Sequence, residues 1–311
     1  MNNATIVLTL AAAVGAAVPI ALAALGELLS EKAGVLNLGV EGMMLVGAVT
    51  AFQTGSSSGN LWLALFAGTL AGGLFSLIHA FLTITLRANQ IVSGLALVIF
   101  GTGLSTFVGK SVEGKALDTD FTAIRWGVLA DIPILGPVFF DQDPMVYTTI
   151  VLAVLIRLYL NRTSAGLAVR AVGESPATAD SMGVSVSGVR YAHVVLGGLF
   201  AGMAGAYLVL GSVPAWSQGA TTAGIGWIAL ALVVFASWKP LRVILGAFLF
   251  GFSRRANFWL QGEGVDIPAE FLTMLPYLFT IAVLVIWGSR DLQRRAGAPA
   301  ALGTSYVRDE R

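Results

Sequence analysis

Nine apolar stretches separated by short polar breaks run along the chain, at residues 5–26, 38–54, 61–86, 90–109, 145–161, 189–213, 223–238, 241–259 and 269–287. Most have the roughly 20 residues a helix needs to cross the hydrocarbon core of a bilayer. The second, fifth and seventh are shorter, so a broken or re-entrant helix is compatible with them and the count ranges from eight to ten. No polar linker divides the chain between Asn3 and Trp287, and helices satisfy their own backbone groups in lipid. The expected fold is all-α: a polytopic transmembrane helical bundle of about nine spans, one domain over residues 1–288 with a tail at 289–311. The first stretch, Ile6 to Leu25, has no Lys or Arg ahead of it and reads as a retained helix rather than a secretory signal.

Charge placement orients this bundle. Thirteen of the 18 Lys and Arg fall on one side of the nine-span scheme, three (Lys110, Lys115, Arg125) on the other, and two (Arg254, Arg255) inside the eighth span, where snorkelling toward Glu263, Asp266 or Glu270 is expected. The positive-inside rule makes the C-terminus cytoplasmic and, for an odd count, the N-terminus external. Trp62, Trp216 and Trp259 are placed at outer helix ends, Trp238 and Trp287 at inner ones.

Composition narrows the function. Of 311 residues 56% are apolar and 11% charged, with a mean hydropathy of +0.82, whereas a soluble domain carries about a quarter charged residues. A net charge of +1 gives no electrostatic case for nucleic acid, and the absence of Cys excludes disulfides and thiolate chemistry. The 37 glycines have a packing role: Gly198, Gly202 and Gly205 share nearly one helix face, and Gly68 with Gly72 repeats the spacing. Small residues so placed let helices approach closely in lipid. The stretch from Gly103 to Ser111 mimics a phosphate-binding loop but puts Leu104 where the motif needs Gly. No zinc motif or nucleophile triad appears. His79 and His193 read as polar residues within the bundle, so neither a catalytic site nor a cofactor or metal is expected.

Three polar constellations remain. Between the fifth and sixth spans, residues 162–188 hold a short helix: Ser175 as N-cap, Pro176 at its first position, Gly183 as its stop. So short a helix is marginal alone, which points to docking, against the plainer reading of a connector. Next, Gly34, Gly39 and Gly42 interrupt the run from 26 to 48, where Asn37 and Glu41, four apart, share a face if helical. An ionisable Glu41 in a span is a functional candidate; pairing with Lys32 at the interface is the alternative. Finally, Asn89, Gln90 and Ser93 cluster at the start of the fourth span, either facing a cavity or capping the helix. The other spans hold few ionisable groups, which argues against a proton relay.

On EKAGVLNLGVEGMMLVGA followed by LRANQIVSGLAL, the chain resembles the integral membrane permeases of ABC importers, in the superfamily of branched-chain amino-acid and simple-sugar permeases, and within it the nucleoside-uptake group. Asn37 to Gly42 stand where ribose-type permeases carry a GIDLSVG-like stretch and amino-acid permeases an INFAHGE-like one. The likeness spans about Leu22 to Trp287. It implies a type II importer-like fold in a prokaryotic plasma membrane and half of an alternating-access pathway for nucleosides, bordered by Asn37, Glu41, Asn89, Gln90 and Ser93. A permease for a simple sugar such as ribose, or an ion-coupled carrier, is the competing reading. The resemblance also makes Gly173, Glu174, Ala177, Asp180 and Gly183 part of a coupling helix. The partners it implies are a second related permease chain, an ATPase with duplicated nucleotide domains and an extracytoplasmic substrate-binding lipoprotein. ATP hydrolysis then belongs to another subunit. Many relatives begin with an additional helix, which bears on the span count.

Overall fold

The computed structural model describes residues 3–117, 121–217, 221–262 and 297–308, and between the last two segments the helical positions Phe271, Met274, Leu278, Ile281, Ala282 and Val285. The ninth stretch, 269–287, is therefore described at only those six positions, and Glu263, Asp266 and Glu270 lie outside the described residues. The continuously described segments hold ten α-helices: α1 (Asn3–Lys32), α2 (Val40–Ser58), α3 (Leu61–Ala80), α4 (Gln90–Gly109), α5 (Pro144–Arg162), α6 (Ser164–Glu174), α7 (Pro176–Ser181), α8 (Val186–Tyr207), α9 (Ile225–Phe235) and α10 (Pro240–Gly262). π-helical turns at Phe81–Thr85 and Leu208–Ser212 lengthen α3 and α8. Strands β1 (Ile124–Arg125) and β2 (Asp141–Gln142) pair antiparallel in the long loop before α5. The protein is an all-α polytopic bundle. Among the described residues five helices are long and apolar enough to cross a membrane; α9 is apolar but shorter.

Side-chain caps set where the helices begin. Asn60, Asn89, Asp143, Thr163, Ser175 and Ser185 each accept from a backbone N–H in the first turn of α3 through α8, and each such cap contributes about 1 kcal/mol. Asp143 adds Pro144 at the first helical position and takes the Tyr207 hydroxyl at 2.5 Å, tying α5 to α8. The expected first span stopped at residue 26, but α1 continues to Lys32, carrying Glu27 and Glu31 fully into the interior. That polar end is helical because its carboxylates find donors inside the protein.

At the centre lies α8, packed against α1, α2 and α3. The three crossings run through glycine. A Cβ on Gly202 would lie 2.5 Å from the Gly68 carbonyl oxygen and 2.9 Å from Gly72 Cα; one on Gly205 would lie 2.0 Å from the Met44 carbonyl oxygen. On the α1 side, Gly26 faces the Gly197 carbonyl at 2.7 Å by the same construction. Lipid tails supply no hydrophobic drive between helices, so dispersion across these backbone contacts must hold them together. The tryptophan placement is only partly kept: Trp62 is exposed, whereas Trp216 and Trp238 are buried in the protein.

The chain segregates into two ends. At one, the loop from Lys110 to Asp143 meets the start of α1, where Gln142 donates to the Ala11 carbonyl at 3.3 Å, and residues 114–117 hydrogen-bond to 214–216 beyond α8. At the other gather the end of α1, α6, α7 and residues 297–308. Gly202→Ala should cost about 1–3 kcal/mol by overpacking backbone and lower the thermal unfolding midpoint of the detergent-purified protein. Gly103→Ala, with nothing within 4 Å of its Cβ, is the control; equal midpoints for the two variants would contradict the crossing.

Candidate functional site

Between α1 and α2 the backbone leaves the helix over residues 33–39, turning at Gly34 (φ +85°). Water does not satisfy such a break inside a bundle, so its polar groups need protein partners. Val35 N–H reaches the Ser30 carbonyl (3.1 Å). Leu36 N–H donates to Gln90 Oε1 (2.7 Å), and Asn37 N–H to Glu27 Oε1 (2.9 Å). The Leu36 carbonyl accepts from His79 Nε2 (3.1 Å). A carbonyl can only accept, so Nε2 carries the proton and, in the neutral ring, the Ser93 hydroxyl donates to Nδ1 at 3.0 Å. Asn37 folds back, its Oδ1 taking Gly39 N–H at 3.1 Å and its amide approaching Met43 Sδ at 3.4 Å.

Asn37, Gln90 and Ser93 are thus brought together, all buried, around one stretch of backbone. Asn89 is not: it is exposed and caps α4, accepting from Ile91 N–H (2.9 Å) and Val92 N–H (3.1 Å). Asn37 precedes α2 instead of lying on it, so it shares no helix face with Glu41. Nor does Glu41 pair with Lys32. Its carboxylate crosses to the second break in the bundle, the segment leading into α9: Oε1 accepts from Thr222 Oγ1 (2.5 Å) and Gly224 N–H (3.0 Å), Oε2 from Gly226 N–H (2.6 Å). The two backbone donors belong to the N-terminal end of α9, Gly224 being its N-cap, where the helix dipole also favours a negative charge. Gly226 is required there, since a Cβ would lie 2.6 Å from Oε2. With 11 residues α9 rises about 16 Å, half the hydrocarbon thickness, which puts its start deep in the bundle.

Glu27, Glu31, His79, Thr222 and Trp238 complete these contacts and were not expected as site residues. Glu31 accepts from Trp238 Nε1 at the turn before α10. The available signal was Glu27 and Glu31 spaced four apart directly after an apolar run, a helical pair facing one side. The expected scarcity of ionisable groups within the spans does not hold: Glu27, Glu31, Glu41, His79, Arg190 and His193 are all buried.

The short helix of the 162–188 loop takes the expected form. Ser175 Oγ accepts from Thr178 N–H (3.4 Å), α7 follows from Pro176, and Gly183 turns at φ +81°. Glu174 and Ala177 are exposed, whereas Asp180 pairs with Arg308 at 3.1 Å. Gly173 is buried, because a Cβ would meet the Lys32 carbonyl oxygen at 2.2 Å. Residues 297–308 strap this region to the first break. Ala301 N–H donates to the Gly173 carbonyl (2.9 Å), Gly303 N–H to the Gly34 carbonyl (3.3 Å), and Arg190 Nη1 to the Thr304 carbonyl (3.0 Å). A polar surface helix is thereby linked to the first break in the bundle.

The structure thus has broken spans held internally and tied to a capped surface helix, and sequence comparison identifies the family that carries it. The model of the branched-chain amino acid transport system permease component matches residues 9–286. The chain belongs to this family. The permease is 41% identical to the putative glucose ABC transporter permease TsgC13 of Haloferax volcanii, covering 96% of this chain and 97% of that one. It is 37% identical to the guanosine ABC transporter permease NupQ of Bacillus subtilis (95% of each chain) and 34% identical to the nucleoside ABC transporter permease NupC of Lactococcus lactis (94% of each). Each of these organisms also has a second, more distant permease relative, 25%, 24% and 21% identical respectively. No solved structure matches the permease.

Replacing Glu41 by Gln removes one acceptor oxygen from the α9 cap and should weaken it by about 1–3 kcal/mol. Backbone hydrogen exchange at Gly224 to Ile228 should quicken by roughly tenfold or more, with the α4 cap amides of Ile91 and Val92 unchanged. Unaltered exchange at α9 would remove Glu41 from this role.

Proposed function

We propose that this permease forms half of the translocation pathway of an ATP-driven importer and that the substrate it passes is a nucleoside. The observation that carries the reading is chain-long similarity, 37% over 95% of both chains, to a guanosine permease, with the nucleoside permease of Lactococcus lactis beside it. The 41% identity with a putative glucose permease favours a second reading, a sugar substrate. Both ligands present vicinal hydroxyls, and an uncharged polyol suits a path bordered by amide and hydroxyl groups that donate and accept.

In this reading ATP is hydrolysed by a separate subunit with duplicated nucleotide domains, and the exposed Glu174 at the end of α6 and Ala177 on α7 contact it. Most of the described Lys and Arg gather at the α7 end, which supports a cytoplasmic location for that end and for the C-terminus under the positive-inside rule. The second permease chain is a related but different protein, as the paired relatives in three organisms support, and an extracytoplasmic lipoprotein delivers the substrate. Asn37, Glu41, Gln90 and Ser93 border the path by shaping the segment at 33–41, while Asn89 acts as a cap. Movement of α7 reaches that segment through the strap, which makes the breaks the two-state element of alternating access.

Uptake into proteoliposomes holding the permease, its second chain and the ATPase, with the delivery lipoprotein present, tests both layers. The expected result is ATP-dependent accumulation of guanosine that excess glucose does not suppress; glucose accumulation instead would establish the sugar reading. Transport by this chain alone on a proton or sodium gradient, indifferent to ATP, would overturn the importer. Glu174→Arg should reduce ATP-driven uptake several-fold with membrane insertion intact, and normal uptake by that variant would exclude docking at the junction of α6 and α7.

A further inference from the structure

The end of the bundle that carries α7 holds a cavity of about 690 Å³ unlike the rest of the surface. Six cations line it from four parts of the chain: Lys32 at the end of α1, Arg157 and Arg162 on α5, Arg170 on α6, and Lys239 and Arg242 at the turn into α10. Among the described residues no Asp or Glu lines it. Among the described residues the ion pairs are Arg125–Asp131 and Arg308–Asp180, both elsewhere, so none of the six is neutralised by a carboxylate within 4 Å. Of the nearest acids, Glu31 is committed to Trp238, and Glu174 acts on Lys32 only through space. Lys32 holds one fixed contact, the Gly297 carbonyl at 2.7 Å.

An excess of basic residues on one face of a membrane protein is ordinary, and such residues normally spread into solvent. Here they converge on a concavity, and like charges so gathered repel unless an anion joins them. The walls say which anion. Leu158 and Leu241 line the cavity beside the cations. From there α5 exposes Val151, Leu155 and Leu158 on one face, and α10, packed against α5, exposes Leu245, Leu249 and Phe252 on one of its own. Apolar stripes thus run along the spans to a cationic pocket at the membrane surface, the layout that takes acyl chains along the helices and a phosphate at their end.

We infer that this cavity binds the phosphate head group of an anionic phospholipid of the α7-side leaflet. The six cations supply the charge, the guanidinium forks of Arg157 and Arg242 can bridge phosphate oxygens, and the exposed faces of α5 and α10 accept the chains. The bound phosphate joins α1, α5, α6 and the α9–α10 turn, four elements whose cationic ends otherwise push apart. The site is independent of which substrate crosses the bundle.

The test uses the full chain within its assembled transporter, in nanodiscs of phosphatidylcholine alone or mixed with phosphatidylglycerol, reading thermal unfolding of the permease and, by native mass spectrometry, the lipid it keeps. Phosphatidylglycerol should raise the unfolding midpoint and remain bound, while inorganic phosphate added to phosphatidylcholine discs should do neither. The Arg157→Gln/Arg242→Gln double variant should weaken lipid retention by about tenfold or more, since each surface cation contributes near 1 kcal/mol. Lys110→Gln/Lys115→Gln removes the same charge from the opposite end and should leave retention unchanged. Equal stabilisation by inorganic phosphate would make this a site for a free anion. Retention unaffected by the double variant would place the lipid elsewhere. Lipid bound to the isolated permease but absent from the assembled transporter would assign the cavity to an acidic surface of a partner. Each of these three outcomes overturns the proposal.

Discussion

Lipid offers no hydrogen bonds, and everything particular about this bundle follows from two places where its backbone stops making its own. At residues 33–39 and again before α9, amides and carbonyls at membrane depth are satisfied by buried side chains: Gln90, Glu27 and His79 at the first break, Glu41 at the second. Leaving one such group unpaired costs about 1–3 kcal/mol, a sizeable part of the stability of an ordinary fold. Gln90, Glu27, His79 and Glu41 are therefore committed to particular backbone atoms. Because Glu41 begins α2 and ends on α9, the two breaks are one joint.

The remaining architecture supports that joint from both sides. Glycine lets α8 lie against α1, α2 and α3 at backbone contact, fixing the frame in which α2 meets α9. On the other side, residues 297–308 bond Gly173 to Gly34 across a few ångströms, so α6 and α7 share a strap with the first break. A push on α7 in the proposed assembly thus meets a contiguous set of hydrogen bonds ending at the start of α9. Packed elements of this kind switch between discrete arrangements and do not deform gradually.

The legible part of the fold is the part set by local rules. Asn60, Asn89 and Asp143 mark the starts of α3, α4 and α5 within a residue of the apolar edges, and the Ser175, Pro176 and Gly183 pattern describes α7 as found, because caps and left-handed turns depend on near neighbours only. What was illegible depends on tertiary partners. The stretch from Glu27 to Lys32 looks like a polar boundary until Asn37 and Trp238 are folded onto it, and only then does it continue α1. Asn37 and Glu41 look like one helix face because a four-residue spacing carries no sign of a break between them; Gly39 was the hint. Trp216 and Trp238 look like interfacial anchors, and no local signal reveals that Gly109 and Glu31 await them. Of the five residues that sequence offered as bordering a pathway, three meet at one break, but their partners His79 and Glu27 emerge only from packing.

The joint itself can be watched directly. The chain contains no Cys, so Ala177→Cys on α7 and Ala223→Cys at the entrance to α9, both exposed, accept spin labels at unique positions in the assembled transporter. Pulsed dipolar spectroscopy would compare their separation without nucleotide and with trapped ATP, in the otherwise native chain and with Glu41→Ala. The account predicts one narrow distance distribution that shifts on ATP binding when Glu41 is present, and a broad distribution insensitive to ATP when it is replaced. The same shift with and without Glu41 would show that α9 follows α7 by another route and contradict the account.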